Sequence, residues 1–317
     1  MSNQSNNQGR AYEYICIMTL ANEINKIRPA VVQINSALQT NKNAWNSMPQ
    51  GLQQTMSESA KTAVCTIFDM EPMLLEEGED LVTLTLQTDE EGKKGDVRDI
   101  VISRKNIQWE IGLSIKHNHF AVKHSRLAKT LDFGAKWYNI PCSPDYWTNI
   151  KPIFDYLETQ KALGKKWSEL PSKDNDVYVP LLNAFKTEIL KNCVTATTVP
   201  KKMVEYLLGE FDFYKVISID TKRITQIQTY NLHGKLNQSS KTQKPKIEVP
   251  LACLPTRIVN LDFKPNSKNT LELYMDGGWQ FSFRIHNAST KVETSLKFDI
   301  QIVGMPTAII SINCSWN

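Results

Sequence analysis

Apolar positions along this chain switch between two periods. Over residues 11–27, AYEYICIMTLANEINKI, Ile17, Leu20 and Ile24 recur at helical spacing and Pro29 closes the run, which predicts a helix. Glu13 falls on the same stripe, one turn before Ile17. Residues 50–67 predict a second helix. Period two then takes over: LVTLTLQT at 81–88 alternates Val82, Leu84 and Leu86 with Thr and Gln, and DEEGKKGD reads as a turn. VRDIVIS (97–103) and IQWEIGLSIK (107–116) follow as an expected antiparallel pair. In the second strand, Ile107, Trp109, Ile111, Leu113 and Ile115 point one way, while Gln108, Glu110, Gly112, Ser114 and Lys116 point the other.

Helical spacing returns at 120–138, with Leu127, Leu131 and Tyr138 expected inward and Lys123, Arg126, Lys129 and Lys136 outward. Further helices are predicted at about 147–163, 178–192 and 200–209. The C-terminal third is strand-like: LELYMDGGWQFSFRI has two alternating runs around DGG, a hairpin signal, and KVETSLKFDIQIV alternates throughout. The expected class is α+β with a β-rich end, divided into a catalytic body over 1–205 and a β-rich recognition part over 206–317.

Charge sharpens this picture. Residues 69–99 carry eleven acidic side chains against three basic, whereas residues 102–139 carry seven basic side chains and three histidines against Glu110 and Asp132. The sign of the field reverses at Asp99. A second basic zone, Lys215 to Lys246, holds seven Lys/Arg against Asp220, and its polar middle at 231–246 reads as a loop, ordered by an anionic partner or simply solvated. The net charge of +4 does not by itself nominate nucleic acid. Six cysteines about 50 residues apart, without a CxxC pair, read as reduced and mostly buried thiols. No apolar run approaches the roughly 20 residues that span a bilayer, so a soluble, cytoplasmic protein is expected.

Phosphodiester cleavage needs a divalent cation to neutralise phosphate charge and activate water, with a further cation near the attacked phosphate. Asp99, at the start of the apolar run Ile100–Ile102, and Lys116, closing the polar face of the next strand, are placed to build such a patch. This arrangement resembles the PD-(D/E)xK nuclease superfamily, whose core is a helix, a three-stranded meander with Asp on its second strand and (D/E)xK on its third, and a further helix. The resemblance implies a restriction-endonuclease-like central mixed sheet flanked by helices. Two positions depart from the pattern: Arg98 stands where the proline precedes Asp99, and Ser114 stands two residues before Lys116 in place of an acid. The first departure leaves the chemistry intact; the second removes a metal ligand.

Replacement carboxylates are Glu13, preferred because an acid on an apolar stripe costs free energy unless a cation or hydrogen bonds satisfy it, and the weaker candidates Asp96, Glu110 and Asp132. Glu110 shares the face of Lys116, but six strand residues span roughly 20 Å. Ser114 needs only to be small, with a hydrogen bond to a metal-bound water as its chemical option.

The leader NNQGRAYEYI, the block GDVRDIVI and WEIGLSIKHNHFAVKHSRL followed by DFGAKWYN resemble the HaeIII-type restriction endonucleases. That resemblance implies Mg²⁺-dependent cleavage of double-stranded DNA at the centre of GGCC, blunt ends, and a cognate methyltransferase as functional partner. A palindromic target suggests a two-fold dimer, with a monomer that nicks each strand in turn as the alternative.

His117, His119, Lys123, His124, Arg126 and Lys129 are candidate DNA contacts, as are Arg223 and Lys235, with Arg257 and Arg284 open to guanine readout. The string His117-Asn118-His119 is not an HNH nuclease, whose residues are dispersed over a ββα-metal unit. Trp137, Tyr138, Tyr146 and Trp147 are expected to be core anchors. Two other functions compete: a DNA-binding module with a degraded metal site, and a carbohydrate-active enzyme using Trp279 and Trp316.

Overall fold

The computed structural model describes residues 2–88, 96–119 and 123–316. Of the expected turn DEEGKKGD only Asp96 lies within the described residues. The chain forms two compact units that interleave in sequence: Met1–Phe120 with Gly209–Ala252 and Thr307–Asn317, and Ala121–Leu208 with Cys253–Pro306. A single cut at 205/206 therefore does not separate them. The reason is strand pairing between distant segments, which local periodicity does not encode.

The first unit is built on a seven-stranded mixed sheet. Its strands are β1 (Ala30–Val32), β2 (Val82–Leu86), β3 (Ile100–Arg104), β4 (Trp109–His117), β6 (Phe213–Ile219), β7 (Ile224–Tyr230) and β12 (Ser311–Ser315), adjacent in that order. β2, β3 and β4 form an antiparallel meander, while β1 runs parallel to β2 and β6 parallel to β4. The expected hairpin over 97–116 is present, closed by a 3₁₀ turn at Lys105–Ile107 with Gln108 left-handed at φ 53°.

Helix α1 (Ser2–Ile24) buries Tyr12, Ile17, Leu20 and Ile24, the expected stripe, but begins nine residues earlier than periodicity predicts. Helix α3 (Gln50–Met70) lies where the second helix was expected and buries Met56, Ala60, Ala63, Val64 and Ile67. Between them, α2 (Ser36–Asn46) is short and mostly polar, with only Ala37, Leu38, Ala44 and Trp45 apolar, so the sequence gives little sign of it. Its start is fixed by Asn35, whose side chain accepts from Leu38 N at 2.8 Å. Helices and sheet enclose one core of Ile100, Ile102, Ile111, Leu113, Ile115, Tyr214 and Val216 against α1 and α3.

The polar segment at 231–246, expected as a loop either ordered by an anionic partner or simply solvated, is tethered by carboxylates of the same unit. Asp212 accepts from the backbone of Leu232, His233 and Lys235, Glu76 from Lys241 N, and Glu71 from Asn237 N at 2.6 Å. Lys246 pairs with Asp69 at 2.7 Å. Acids at and just after the end of α3, with Asp212, thus hold this segment mainly through its backbone N–H groups, and Asp69 adds one ion pair with Lys246.

The second unit is a five-stranded antiparallel sheet, β5 (Lys123–Ala128), β11 (Ser295–Gly304), β10 (Gln280–His286), β9 (Thr270–Met275) and β8 (Ile258–Phe263), in that order. It also contains α4 (Phe133–Tyr138), α5 (Pro144–Ala162), α6 (Val179–Thr195) and α7 (Val199–Leu208). The β9–β10 hairpin turns through DGG, with Gly277 at φ 70°, as its sequence predicts. The helix expected at 120–138 is replaced by edge strand β5, paired with β11, and the short α4. Alternation in Ser125, Arg126, Leu127 wins over helical spacing because β11 supplies a distant partner.

Trp137, Tyr138 and Tyr146 are buried, as anchors should be, and Trp137 stacks on Phe283 at 5.9 Å. Trp147 is half-buried and donates to Cys142 O at 3.2 Å. Trp279 and Trp316 are also buried, which leaves no aromatic platform there for a sugar. The cysteines are all free, but only Cys16 and Cys142 are buried.

Candidate active site

The meander brings the predicted pair together. Asp99 sits one residue before β3, its N–H donating to Leu113 O at 2.8 Å, so its side chain lies beside the end of β4. There Oδ2 accepts from Ile115 N at 2.6 Å, from Lys116 Nζ at 2.9 Å and from Ser114 Oγ at 3.3 Å. Ser114 thus contributes a hydroxyl to Asp99 at the position where an acid was expected.

Glu13 reaches the same place from α1. Its Oε2 accepts from Asn41 Nδ2 of α2 at 2.7 Å. Glu13 and Asp99 both line a cavity of about 390 Å³, together with Arg10, Asn6, Thr40 and Gln87. Burial and the neighbouring Asp99 carboxylate hold the Glu13 carboxyl well above the usual carboxylate range, with Lys116, Asn41 and Arg10 pulling weakly the other way. For Lys116, burial opposes the charged form, but Asp99 and Glu13 more than offset it and raise its pKa. Lys116 is an ammonium here, suited to stabilising anionic charge and not to acting as a base.

The weaker acids have other work. Asp96 and Glu110 clamp Arg98, at 2.7 Å each, across the hairpin. Arg98 is buried, lies 4.0 Å over the Phe211 ring and runs so close above Gly112 that a Cβ there would collide with it. The arginine that replaces the proline is therefore a strut that neutralises two candidate ligands. Asp132 caps α4, accepting from Ala135 N at 2.8 Å and from Cys142 N.

Among the proposed DNA contacts, His117 is turned inward, 2.8 Å from Asp220, and the same carboxylate accepts from Asn118 and Ser218. These bonds outweigh burial and lower the Asp220 pKa. Lys129 is engaged by Asp155 at 2.6 Å and Glu158 at 3.0 Å, and Arg126 by Ser295 at 2.9 Å. His119 and Lys235 are exposed. Arg223, also exposed, holds Glu58 at 3.0 Å. The side chains of Lys123 and His124 lie outside the described residues.

Two site residues escape the sequence reading. Asn41 carries no periodic signal. Lys215 stands on β6 in register with Ser114 and is buried. Its signal was a single charge inside the run FYKVISI of β6.

Residues 9–306 match the family model of the HaeIII restriction endonuclease. The chain belongs to that family. The type II restriction enzyme HaeIII of Haemophilus aegyptius is 49% identical over 317 residues, spanning 100% of this chain and 99% of the relative. No solved structure gives a significant match. As a member of the HaeIII restriction endonuclease family the chain is a nuclease, and its helix-flanked mixed sheet agrees with the fold that the resemblance implies. Among the described residues, no three His, Cys, Asp or Glu side chains converge as a ready-made metal cluster, and no helix is long and apolar enough to cross a membrane.

Proposed function

We propose that this protein cuts both strands of duplex DNA at the centre of GGCC, leaving blunt ends with 3′-hydroxyls and 5′-phosphates, in a Mg²⁺-dependent reaction. The observation that carries this reading is the meeting of Glu13 and Asp99 on one polar cavity, with Lys116 donating to Asp99 at 2.9 Å. The GGCC target rests on family membership and on no contact described above.

The donor set fits a hard cation. Two carboxylates from α1 and the β3 entry line the cavity, and the elevated affinity of Glu13 for a proton marks a group whose charge gains from a bound cation. Such an ion, when bound, polarises the phosphate and lowers the pKa of water. Asp99 and Glu13 are the residues that would hold it, with Asp99 itself held by Ser114, Ile115 and Lys116. Asn41 orients Glu13, whose carboxyl would have to be ionised to serve as a ligand. Lys116 holds its ammonium where charge builds on the phosphate as the bond breaks.

The partners of this reading are double-stranded DNA and a cognate methyltransferase that protects the host, in the cytoplasm, with a homodimer matching the palindrome. A second reading, a DNA-binding module with a degraded metal site, draws on Ser114 and on the absence of a three-acid cluster among the described residues. Asp99→Ala and Lys116→Ala separate the two. Loss of cutting with retained binding to the same duplex supports the nuclease; unchanged cutting by either variant removes these residues from the site.

A further inference from the structure

Lys116 stands next to last in β4, on a stretch that β3 does not reach. The register of β3 on β4 stops at Leu113, so from Ser114 to His117 the strand has β6 as its only paired neighbour among the described residues. The last pair is His117 with Ser218, and just beyond it Asp220 closes the ends of both strands. Its Oδ2 accepts from His117 Nε2 at 2.8 Å and from Asn118 Nδ2 at 3.1 Å, and its Oδ1 accepts from Ser218 Oγ at 2.8 Å. The backbone N–H of Asp220 donates back to Asn118 Oδ1 at 3.0 Å, and Asn118 N donates to Ser218 O at 2.8 Å. Asn118 is left-handed here at φ 51°, a conformation that Asn tolerates better than most residues.

Successive side chains of a strand alternate, so His117 faces the side of the sheet opposite to Lys116. Its ring lies 6.0 Å from that of Tyr12, the residue before Glu13, and the Tyr12 hydroxyl is bonded to Ser59 of α3 at 2.7 Å. The clasp at Asp220 therefore ends on the immediate chain neighbours of Lys116 and Glu13. Asp220 itself is not among the residues that line the cavity, and any effect it has on cleavage passes through them.

We propose that Asp220 is a positioning residue for cleavage: by clasping His117 and Asn118 it holds the end of β4 against β6 and so fixes where the Lys116 ammonium meets Asp99. The proposal rests on the nuclease reading above. Misplacing a catalytic group by about 1 Å can cost on the order of 10²-fold in rate. The role needs the shape of the carboxylate and not its charge. An asparagine at 220, with its carbonyl oxygen toward His117 and Asn118 and its NH₂ toward the Ser218 oxygen, makes the same contacts.

The test is single-turnover cleavage of a GGCC duplex in Mg²⁺ at saturating protein, with duplex affinity measured separately in EDTA and folding checked by thermal melts. Asp220→Ala is expected to slow the cleavage step by at least about tenfold with duplex affinity within about threefold of wild type, and Asp220→Asn to recover the rate to within about threefold. In a Lys116→Ala background, adding Asp220→Ala should slow the step no further, because the lysine through which it acts is gone. Should Asp220→Ala fail to fold, Asn118→Gly keeps the left-handed turn at an exposed position, removes two bonds of the clasp and is expected to slow cleavage in the same way. A wild-type rate in the folded variant used, an Asp220→Asn protein as slow as Asp220→Ala, or equal slowing with and without Lys116 overturns the role of Asp220 and leaves the nuclease reading intact. A wild-type protein that does not cut in Mg²⁺ overturns that reading, and the role of Asp220 with it.

Discussion

Asn41 of α2 donates from Nδ2 to Oε2 of Glu13 on α1 at 2.7 Å, tethering a carboxylate that comes from a helix to a site whose other acid comes from the sheet. This contact makes Glu13 a built element of the cavity and not a solvated helix acid. Its raised pKa has a thermodynamic sign. A carboxyl whose folded pKa exceeds its unfolded value favours folding at low pH, and that contribution is lost as pH rises from the unfolded pKa through the folded one. Glu13→Gln is therefore expected to abolish metal-dependent cutting yet stabilise the metal-free protein at pH 8 by of order 1–2 kcal/mol. Thermal melts in EDTA check this: a Glu13→Gln protein less stable than wild type at pH 8 contradicts the assignment.

Lys116→Arg is expected not to restore activity. The guanidinium is broader than an ammonium, and Lys116 reaches Asp99 at 2.9 Å within a confined strand end. Cleavage rates for Lys116→Ala and Lys116→Arg should both fall by roughly 10²-fold or more. Gel-shift affinities for the same duplex should change little, and a wild-type rate for Lys116→Arg would argue against a positional role.

The Arg98 strut predicts a division between structure and chemistry. Replacing Arg98 with Met leaves Asp96 without its guanidinium in a nearly buried place and should cost roughly 3 kcal/mol, read by urea denaturation. Glu110→Gln, on the more exposed arm, should cost less than about 1 kcal/mol and keep cutting within a few-fold of wild type. Cutting lost in Glu110→Gln without loss of stability would return Glu110 to the list of metal ligands.

Glu71 ties the basic segment to the end of α3. Its Oε1 accepts from Tyr214 at 2.5 Å and from Asn237 N, and burial pushes its pKa up to about 7. The sign is the same as for Glu13: stability from this group is present at low pH and declines as pH rises from the unfolded value through about 7. Glu71→Gln should flatten that decline, which is worth at most about 3 kcal/mol at 1.4 kcal/mol per pH unit. Hydrogen exchange at Asn237 and Val249, measured at pH 5 and pH 8, reports it: protection that falls in wild type and holds in Glu71→Gln is expected, and equal loss in both argues that Glu71 does not govern the segment.

What could be read from the sequence was local or chemical. Alternation in 97–116 located the hairpin, because each strand there pairs with its chain neighbour, and Glu13 stood out because an acid on an apolar stripe demands a reason. Strand β5 looked helical because its partner β11 lies far along the chain. For the same reason the parallel pairing of β6 with β4, which interleaves the units and delivers Lys215 to Ser114, had no local signature. Arg98 passed as a neutral replacement because nothing in the sequence says that Asp96 and Glu110 will close on it.

The most direct measurement of the central claim is digestion of a sequenced plasmid by the purified protein in Mg²⁺ and in excess EDTA, with end sequencing of the products. The account predicts discrete fragments in Mg²⁺ alone, blunt and ending within GGCC. A plasmid that survives intact in both Mg²⁺ and Mn²⁺, or fragments formed equally in EDTA, would contradict it.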